Sequence, residues 1–423
     1  MSVKFLHASD IHLDSPLLNL SLWDKERVDR IRRATRDAFE GLVDFAIDQR
    51  VAFLILAGDL YDQNNPNMQI ALFLRNQLKR LDKEGIRVII AKGNHDAANK
   101  ITSALDLPDN TTILDSKNPQ TIVFKEWNVA ITGQSFHDGP ITENLVLSYL
   151  KPVADLFNIG VLHTSLSGST EHDVYAPCSL TDLTSRNYHY WALGHIHKRE
   201  ILSKDPWIIY PGNLQGRHAK ETGAKGAMLV EFEGTSVLSA DFVPLDVVRW
   251  QQVQVNLSGK DTEEEMVDSL RRALSEAVRE SEGRPIASRL LLTGETPLFS
   301  LLERKPEYIR QTVLELADEI SEDGIWIEKI KNETTLFNKT EEKVEVPQND
   351  DLLSIMRELT NEPKSLLPFL MEELGALRSK LPEDLKDQVG SFVLENNDPS
   401  PDFSSHLSSL LPRLEARLYG SED

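Results

Sequence analysis

The sequence predicts an α/β fold built in layers, followed by a smaller α/β unit and a helical region. Over residues 1–245, short apolar β-rich runs alternate with stretches of helical periodicity, the order that a layered α/β domain requires. A second alternation follows over residues 246–338, and after residue 339 the pattern gives way to a polar linker and proline-punctuated helices. At 423 residues the chain exceeds one ordinary domain, and the expected division is 1–245, 246–338 and 339–423.

Each element has its own signal. VKFLHASD, AFLILAGD, RVIIAKGN, NVAITGQS, NIGVLHTS and YWALGH read as apolar strands that end in polar or glycine-containing sequence. Between the first two lies a long amphipathic helix, about Lys25 to Arg50; another spans about Asn67 to Glu84 and stops at Gly85, a C-cap residue. After Tyr210 the run PGNLQGRHAKETGAKG is a Gly-rich loop, and AMLVEFEG with SVLSADFVPL forms a strand pair. The second unit reads as strand VVRWQQVQVNL, a helix from Asp261 to Glu282 with i, i+4 charge pairs, strand ASRLLLTGE, a helix from Pro306 to Ile320, and strand GIWIEKIKNET. TEEKVEVPQND is a linker, and Asp350 to Tyr419 is helical. Its apolar positions, including Leu352, Leu353, Ile355, Leu366, Leu367, Phe369, Leu370, Leu374 and Leu377, need a surface to bury against.

Composition narrows the setting. A hydrophobic share of 40% and a charged share of 27% are ordinary for a globular protein. The one cysteine, Cys178, excludes an intrachain disulfide and fits a reducing cytosol. No window approaches ~18 uninterrupted apolar residues. The opening MSVKFLHASDIH lacks a basic and apolar leader, so a cytoplasmic protein without membrane segments is expected. The net charge of −21 argues against a protein that coats DNA by charge alone. Residues 1–245 hold 25 basic against 30 acidic side chains, and residues 246–423 hold 21 against 37. The acidic excess therefore lies mainly in the second part, and a DNA-facing surface on the first stays open.

The chemistry concentrates at strand ends. Asp10-x-His12, Gly58-Asp59, Gly93-Asn94-His95-Asp96, His163 and Gly194-His195-x-His197 each stand where an apolar run stops. In α/β sheets, ligands bind beyond the carboxyl ends of the strands. Hydrolysing a phosphodiester needs a nucleophilic hydroxide and charge neutralisation on phosphorus oxygens, and two divalent ions ~3.5–4 Å apart supply both. A set of carboxylate, imidazole and amide oxygen suits manganese, iron or zinc rather than calcium, and a carboxylate such as Asp59 can bridge two ions.

This series, DxH…GD…GNHD…H…GHxH, resembles the calcineurin-like metallophosphoesterase superfamily, which implies a layered α/β/β/α sandwich. The resemblance assigns Asp10, His12, Asp59 and His197 to one cation, and Asp59, Asn94, His163 and His195 to the other. It makes His95 a non-ligand that contacts the phosphate and assists the leaving oxygen, with Asp96 orienting its ring. FLHASDIHLDSPL, the GDLYD variant and YPGNLQGRHAKETGAKG look like the SbcD group of DNA repair nucleases, and within it the YhaO-type exonucleases. That group implies a manganese-dependent DNA exonuclease with two divalent ions per chain, working with an ATPase that carries a coiled coil. The sequence holds no GxxxxGK[ST], so an ATP-driven step would belong to the partner. The group also implies a homodimer paired through helices, here about Pro66 to Leu81 and Ala97 to Leu105, where Ile70, Phe73, Leu74 and Leu78 fit either an interface or the core. One departure stands out: many of these nucleases carry histidine three residues after the bridging aspartate, and this chain has Asp62. A carboxylate there cannot donate to a phosphate at neutral pH.

Other polar residues have plainer readings. His7, inside the first strand, reads as structural, and His137 and His172 as loop residues. Arg217 and His218, in the Gly-rich loop, are candidate contacts for substrate phosphate. Lys198 and Arg199 face either DNA or solvent, the run Arg30 to Arg36 reads as the exposed side of a helix, and Cys178 has no neighbour to act as base. The competing enzyme is a phosphodiesterase of small molecules such as cyclic nucleotides. The added units favour a polymer substrate. A non-catalytic scaffold would have no need of His95.

Overall fold

A computed structural model describes residues 2–15, 25–62, 68–97, 106–137, 141–166, 175–322, 324–337 and 401–419, with 355, 358, 394–395 and 398–399. Most of the apolar tail positions from Leu352 to Leu377, His172, Pro66 and the stretch 98–105 lie outside the described residues. The chain begins β1 (Val3–Ala8), α1 (Lys25–Asp48), β2 (Phe53–Ala57), α2 (Met68–Lys83), β3 (Arg87–Ala91) and a single turn, α3 (Asn94–Ala97). It continues β4 (Thr111–Ile113), β5 (Gln120–Phe124), β6 (Val129–Gly133), β7 (Phe157–His163), α4 (Leu180–Thr184) and β8 (Tyr190–Gly194). Then follow β9 (Glu200–Lys204), β10 (Trp207–Tyr210), β11 (Gly226–Glu233) and β12 (Ser236–Pro244).

Two six-stranded sheets result, ordered β12-β11-β1-β2-β3-β4 and β5-β6-β7-β8-β10-β9. In the first, β1 to β4 are parallel, and in the second, β6, β7, β8 and β10 are parallel. Alternation along each strand decides which layer a side chain joins. Phe53, Ile55 and Ala57 of β2 pack with Ile159 and Val161 of β7 and with Tyr190 and Ala192 of β8, forming the apolar layer between the sheets. Leu54 and Leu56, one residue out of phase, pack instead against Phe39 and Leu42 of α1 and Leu74 and Leu78 of α2. The outer face of the second sheet, through Leu162, Trp191 and Leu193, is covered by Val146, Tyr149 and Leu183 around α4. The layers are α/β/β/α.

His7 faces inward from β1 and is held by the Tyr190 hydroxyl (3.0 Å) and the Leu193 carbonyl (3.1 Å). Burial pushes its pKa down to about 3, so it is a neutral core histidine. On α2 the structure settles one ambiguity. Ile70, Leu74 and Leu78 are buried against the first sheet with Phe73 packed beside them, so they serve the core. The outward apolar residues of that helix are Met68 and Leu72.

The chain separates into two compact units, the first comprising 1–252, 277–289 and 321–328, the second 253–276, 290–320 and 329–423. The boundary crosses β13 (Arg249–Asn256), β14 (Ile286–Thr296) and β15 (Ile325–Leu336), which pair in that order. Between these strands come the helix α5 (Glu263–Glu280), then α6 (Phe299–Arg304) and α7 (Pro306–Ile320), and α8 (Pro401–Tyr419) closes the chain. Within the second unit, α8 packs on α6: Arg413 and Arg417 reach the buried Glu303 at 3.0 and 2.9 Å. Among the described residues, no helix is long and apolar enough to cross a membrane.

Candidate metal centre

The loops beyond β1 and β2 run side by side. Asp10 N donates to Gly58 O, His12 N to Asp59 O and Leu13 N to Leu60 O, at 2.9 to 3.0 Å. Asp10, His12 and Asp59 have φ of +52°, +46° and +52°, and His195 at the end of β8 has +103°. Left-handed backbone costs a non-glycine residue about 1–3 kcal/mol and persists where surrounding contacts over-determine it, typically at functional sites. Here it recurs at the strand ends that carry the candidate ligands. The motif glycines permit the crowding: a Cβ on Gly58 would collide with the His163 ring, and one on Gly194 with the Ala57 carbonyl.

Several of the candidate side chains lie close to one another. His12 Nε2 lies 3.2 Å from His197 Nε2 and 3.9 Å from Asp59 Oδ2. His197 Nε2 is 3.7 Å from Asp10 Oδ1. His163 Nε2 is 3.3 Å from the same Asp59 Oδ2 and 3.1 Å from Asn94 Oδ1. His163 Nδ1 donates to the Ala57 carbonyl, so Nε2 is the nitrogen turned to Asp59 and Asn94. His195 stands edge-on to His163, and its backbone N–H donates to Asp10 Oδ2 at 3.0 Å. Two groups thus gather within ligand reach, Asp10–His12–His197 and Asp10–Asp59–His163, with a third, His12–Asp62–His95, alongside.

The donor set fits divalent cations. Asp10 and Asp59 are buried, and buried carboxylates need compensating charge. Among the described residues His12 Nδ1 is buried without a hydrogen-bond partner, and its Nε2 faces a second imidazole Nε2. Burial opposes a charge on His163, but the Asp59 carboxylate overrides it and lifts the pKa to about 9. Burial would likewise raise Asp59, yet His163 and His12 hold it well below the usual carboxylate range. The pocket draws positive charge onto an imidazole, which is the demand a bound cation meets.

His95 lies beside this cluster, its ring edge-on to His12. Its Nδ1 is 3.3 Å from Asp62 Oδ1. Burial disfavours a charged ring, but Asp62 and then Asp59 outweigh it and raise the pKa. Asp62 is itself anchored, accepting from Ser15 Oγ at 2.7 Å and standing 3.4 Å from Arg217 Nη1. The expectation that Asp96 orients His95 is not met. Asp96 Oδ1 accepts from Leu60 N and Tyr61 N, and Oδ2 from Gly93 N, so it ties the loop after β2 to the loop after β3. The reason is geometric: adjacent residues on a helical turn diverge by about 100°, so Asp96 points inward when His95 faces the cluster. Burial and the nearby Asp59 raise its pKa to about 6 against those three N–H donors.

Of the two loop residues expected to contact substrate, Arg217 lies at the site, with Nη2 3.4 Å from His197 Nδ1, while His218 is half exposed beside Glu221. Arg199 stacks over Phe242 at 4.1 Å, and Lys198 pairs with Glu200. In the basic helical run Arg30 lies over Trp326, and Arg36 pairs with Asp14. Burial pushes the Cys178 thiol up to about 11, in keeping with an inert residue. Three participants were not foreseen in these roles: Ser15, Asp62 as the partner of His95, and Glu221. Glu221 Oε1 lies 2.7 Å from His197 Nδ1. Burial opposes its charge, but His197 and Arg217 keep it well below the usual range. The one available signal was an acidic residue inside an otherwise Gly-rich and basic loop.

Comparison with known proteins agrees with this geometry. A calcineurin-like phosphoesterase model matches residues 3–199, the span that holds every candidate ligand. A model of the middle domain of the metallophosphoesterase YhaO matches residues 250–335. Metallophosphoesterase YhaO of Bacillus subtilis (strain 168), described as uncharacterized, is 35% identical over 340 residues, covering 78% of this chain and 82% of that one. The DNA double-strand break repair protein Mre11 of Sulfurisphaera tokodaii is 28% identical over 319 residues, covering 72% and 77%. That of Methanocaldococcus jannaschii is 25% identical over 290 residues, covering 65% and 75%.

Proposed function

We propose, from the premise that the chain belongs to the calcineurin-like metallophosphoesterase family, that it is a metal-dependent DNA phosphodiesterase acting as a repair exonuclease. The observation that carries the hydrolytic part is the gathering of Asp10 with His12 and His197 and of Asp10 with Asp59 and His163, the last of these beside Asn94. Asp10, His12, Asp59 and His197 would hold one cation, and Asp59, Asn94, His163 and His195 a second; manganese suits this mixed donor set. Bound there, divalent cations supply water activation and charge neutralisation at phosphorus.

The chain's own residues supply the rest. His95, with Nδ1 turned to Asp62, presents Nε2 to the pocket. A proton on Nε2, favoured by the raised pKa, passes to the departing oxygen. Arg217 offers its guanidinium to a phosphate oxygen at the edge of the cluster. His218, more exposed, would reach a phosphate farther along the strand. DNA as substrate is supported by the Mre11 relatives, named for double-strand break repair, and the near balance of charge over residues 1–245 does not exclude it. The resemblance to the SbcD group implies a separate ATPase subunit as partner and a second copy of this chain, for which Met68 and Leu72 would offer apolar surface on α2.

His95→Ala tests the assignment. The protein should keep two ions per chain by elemental analysis while turnover falls by ~10² or more, the usual contribution of a positioned acid. Loss of metal instead would make His95 a ligand and require another scheme.

A further inference from the structure

Among the described residues, Glu221 is a buried carboxylate beside the cluster, and its hydrogen bonds are unequal in kind. Oε2 accepts from Arg217 N at 2.7 Å and from Asn213 Nδ2 at 2.9 Å. Neither donor can become an acceptor. Oε1 faces His197 Nδ1 at 2.7 Å, and an imidazole nitrogen can play either part. Arg217 Nη2 and His218 Nε2 stand farther off, at 3.4 and 3.5 Å. The loop that carries Glu221 is itself braced. Trp250 Nε1 donates to Gly216 O at 2.9 Å, Gln252 Nε2 to Ala219 O at 3.1 Å, and Lys225 Nζ to His197 O at 2.9 Å.

We infer that Glu221 is a positioning residue that fixes His197 as its Nδ1–H tautomer, so that Nε2 is bare and aimed at Asp10 and His12. An imidazole held on one nitrogen by a carboxylate binds a cation through the other, and loss of such a partner costs roughly 10–100-fold in metal affinity. The inference rests on reading His197 as a ligand, but the tautomer is a property of the metal-free chain.

Glu221→Gln discriminates sharply because it is isosteric. An amide has one oxygen, and the two fixed donors at Oε2 claim it. Its NH₂ then faces His197 Nδ1, which must accept, and the proton moves to Nε2. Nitrogen NMR of histidine-labelled, metal-free protein in alkaline buffer should show the Nδ1–H form in the wild type and the Nε2–H form in the variant. Manganese titration should show one site weakened roughly 10–100-fold. In a His197→Ala background, Glu221→Gln should cost no further affinity. An unchanged tautomer with unchanged manganese affinity overturns the inference. If the wild type binds no manganese, the metallophosphoesterase reading of His197 fails, while the tautomer comparison still decides what Glu221 does. Should Glu221→Gln not fold, Glu221→Asp, withdrawn by one methylene, takes its place. It should weaken one manganese site, and full affinity would overturn the inference.

Discussion

Asp59 touches both halves of the cluster, with one oxygen toward His163 and His12 and the other accepting from the His95 backbone N–H at 3.0 Å. An asparagine can still accept from that N–H, so Asp59→Asn should fold. It should lose most manganese-dependent hydrolysis and at least one bound ion by elemental analysis. Near-normal activity with metal content unchanged would contradict its place between the two cations. The candidate ligands were legible because each stands where an apolar run stops, and that pattern survives in one dimension. The roles of Asp62 and Glu221 were not. Asp62 meets His95 only when the ends of β2 and β3 lie side by side, and Glu221 meets His197 only when the Gly-rich loop folds back under the end of β8. Asp96 misled for the opposite reason: adjacency to His95 in sequence means divergence on a helical turn.

Among the elements, β1 to β3, β6 to β8, β11 and β12 could be read from their apolar runs, and the division of labour along β2 follows from simple alternation. Strands β4, β5, β9 and β10, each of three to five residues, were not anticipated; in β9 polar residues flank Ile201 and Leu202 and leave no apolar run. Helix α8 was expected as a helix, but its docking on α6 depends on a buried Glu303 far away in sequence. Arg413 donates to Glu303 at 3.0 Å and to the Asn332 carbonyl at 2.8 Å. Arg413→Ala leaves both acceptors short of a donor, at a cost of about 1–3 kcal/mol. The measurement is thermal unfolding of the full chain: a lowered melting temperature with unchanged metal content is expected, and an unshifted one would mean that α8 adds nothing to the second unit.

At the scale of the whole molecule the charge is divided unevenly, with 37 acidic side chains against 21 basic after residue 245. That part repels a polyanion more strongly than residues 1–245, where 25 basic side chains stand against 30 acidic ones. The sequence relatives cover most of the chain and include proteins of DNA double-strand break repair. The same ligand set would serve hydrolysis of a small phosphodiester equally well, so substrate class is the point on which function turns. The most direct measurement is product analysis on end-labelled linear DNA, with a cyclic nucleotide assayed in parallel and each divalent ion supplied in turn. Progressive release of label with manganese, abolished by Asp59→Asn, is the expected result. An intact polymer alongside rapid hydrolysis of the cyclic nucleotide would contradict a DNA-directed enzyme.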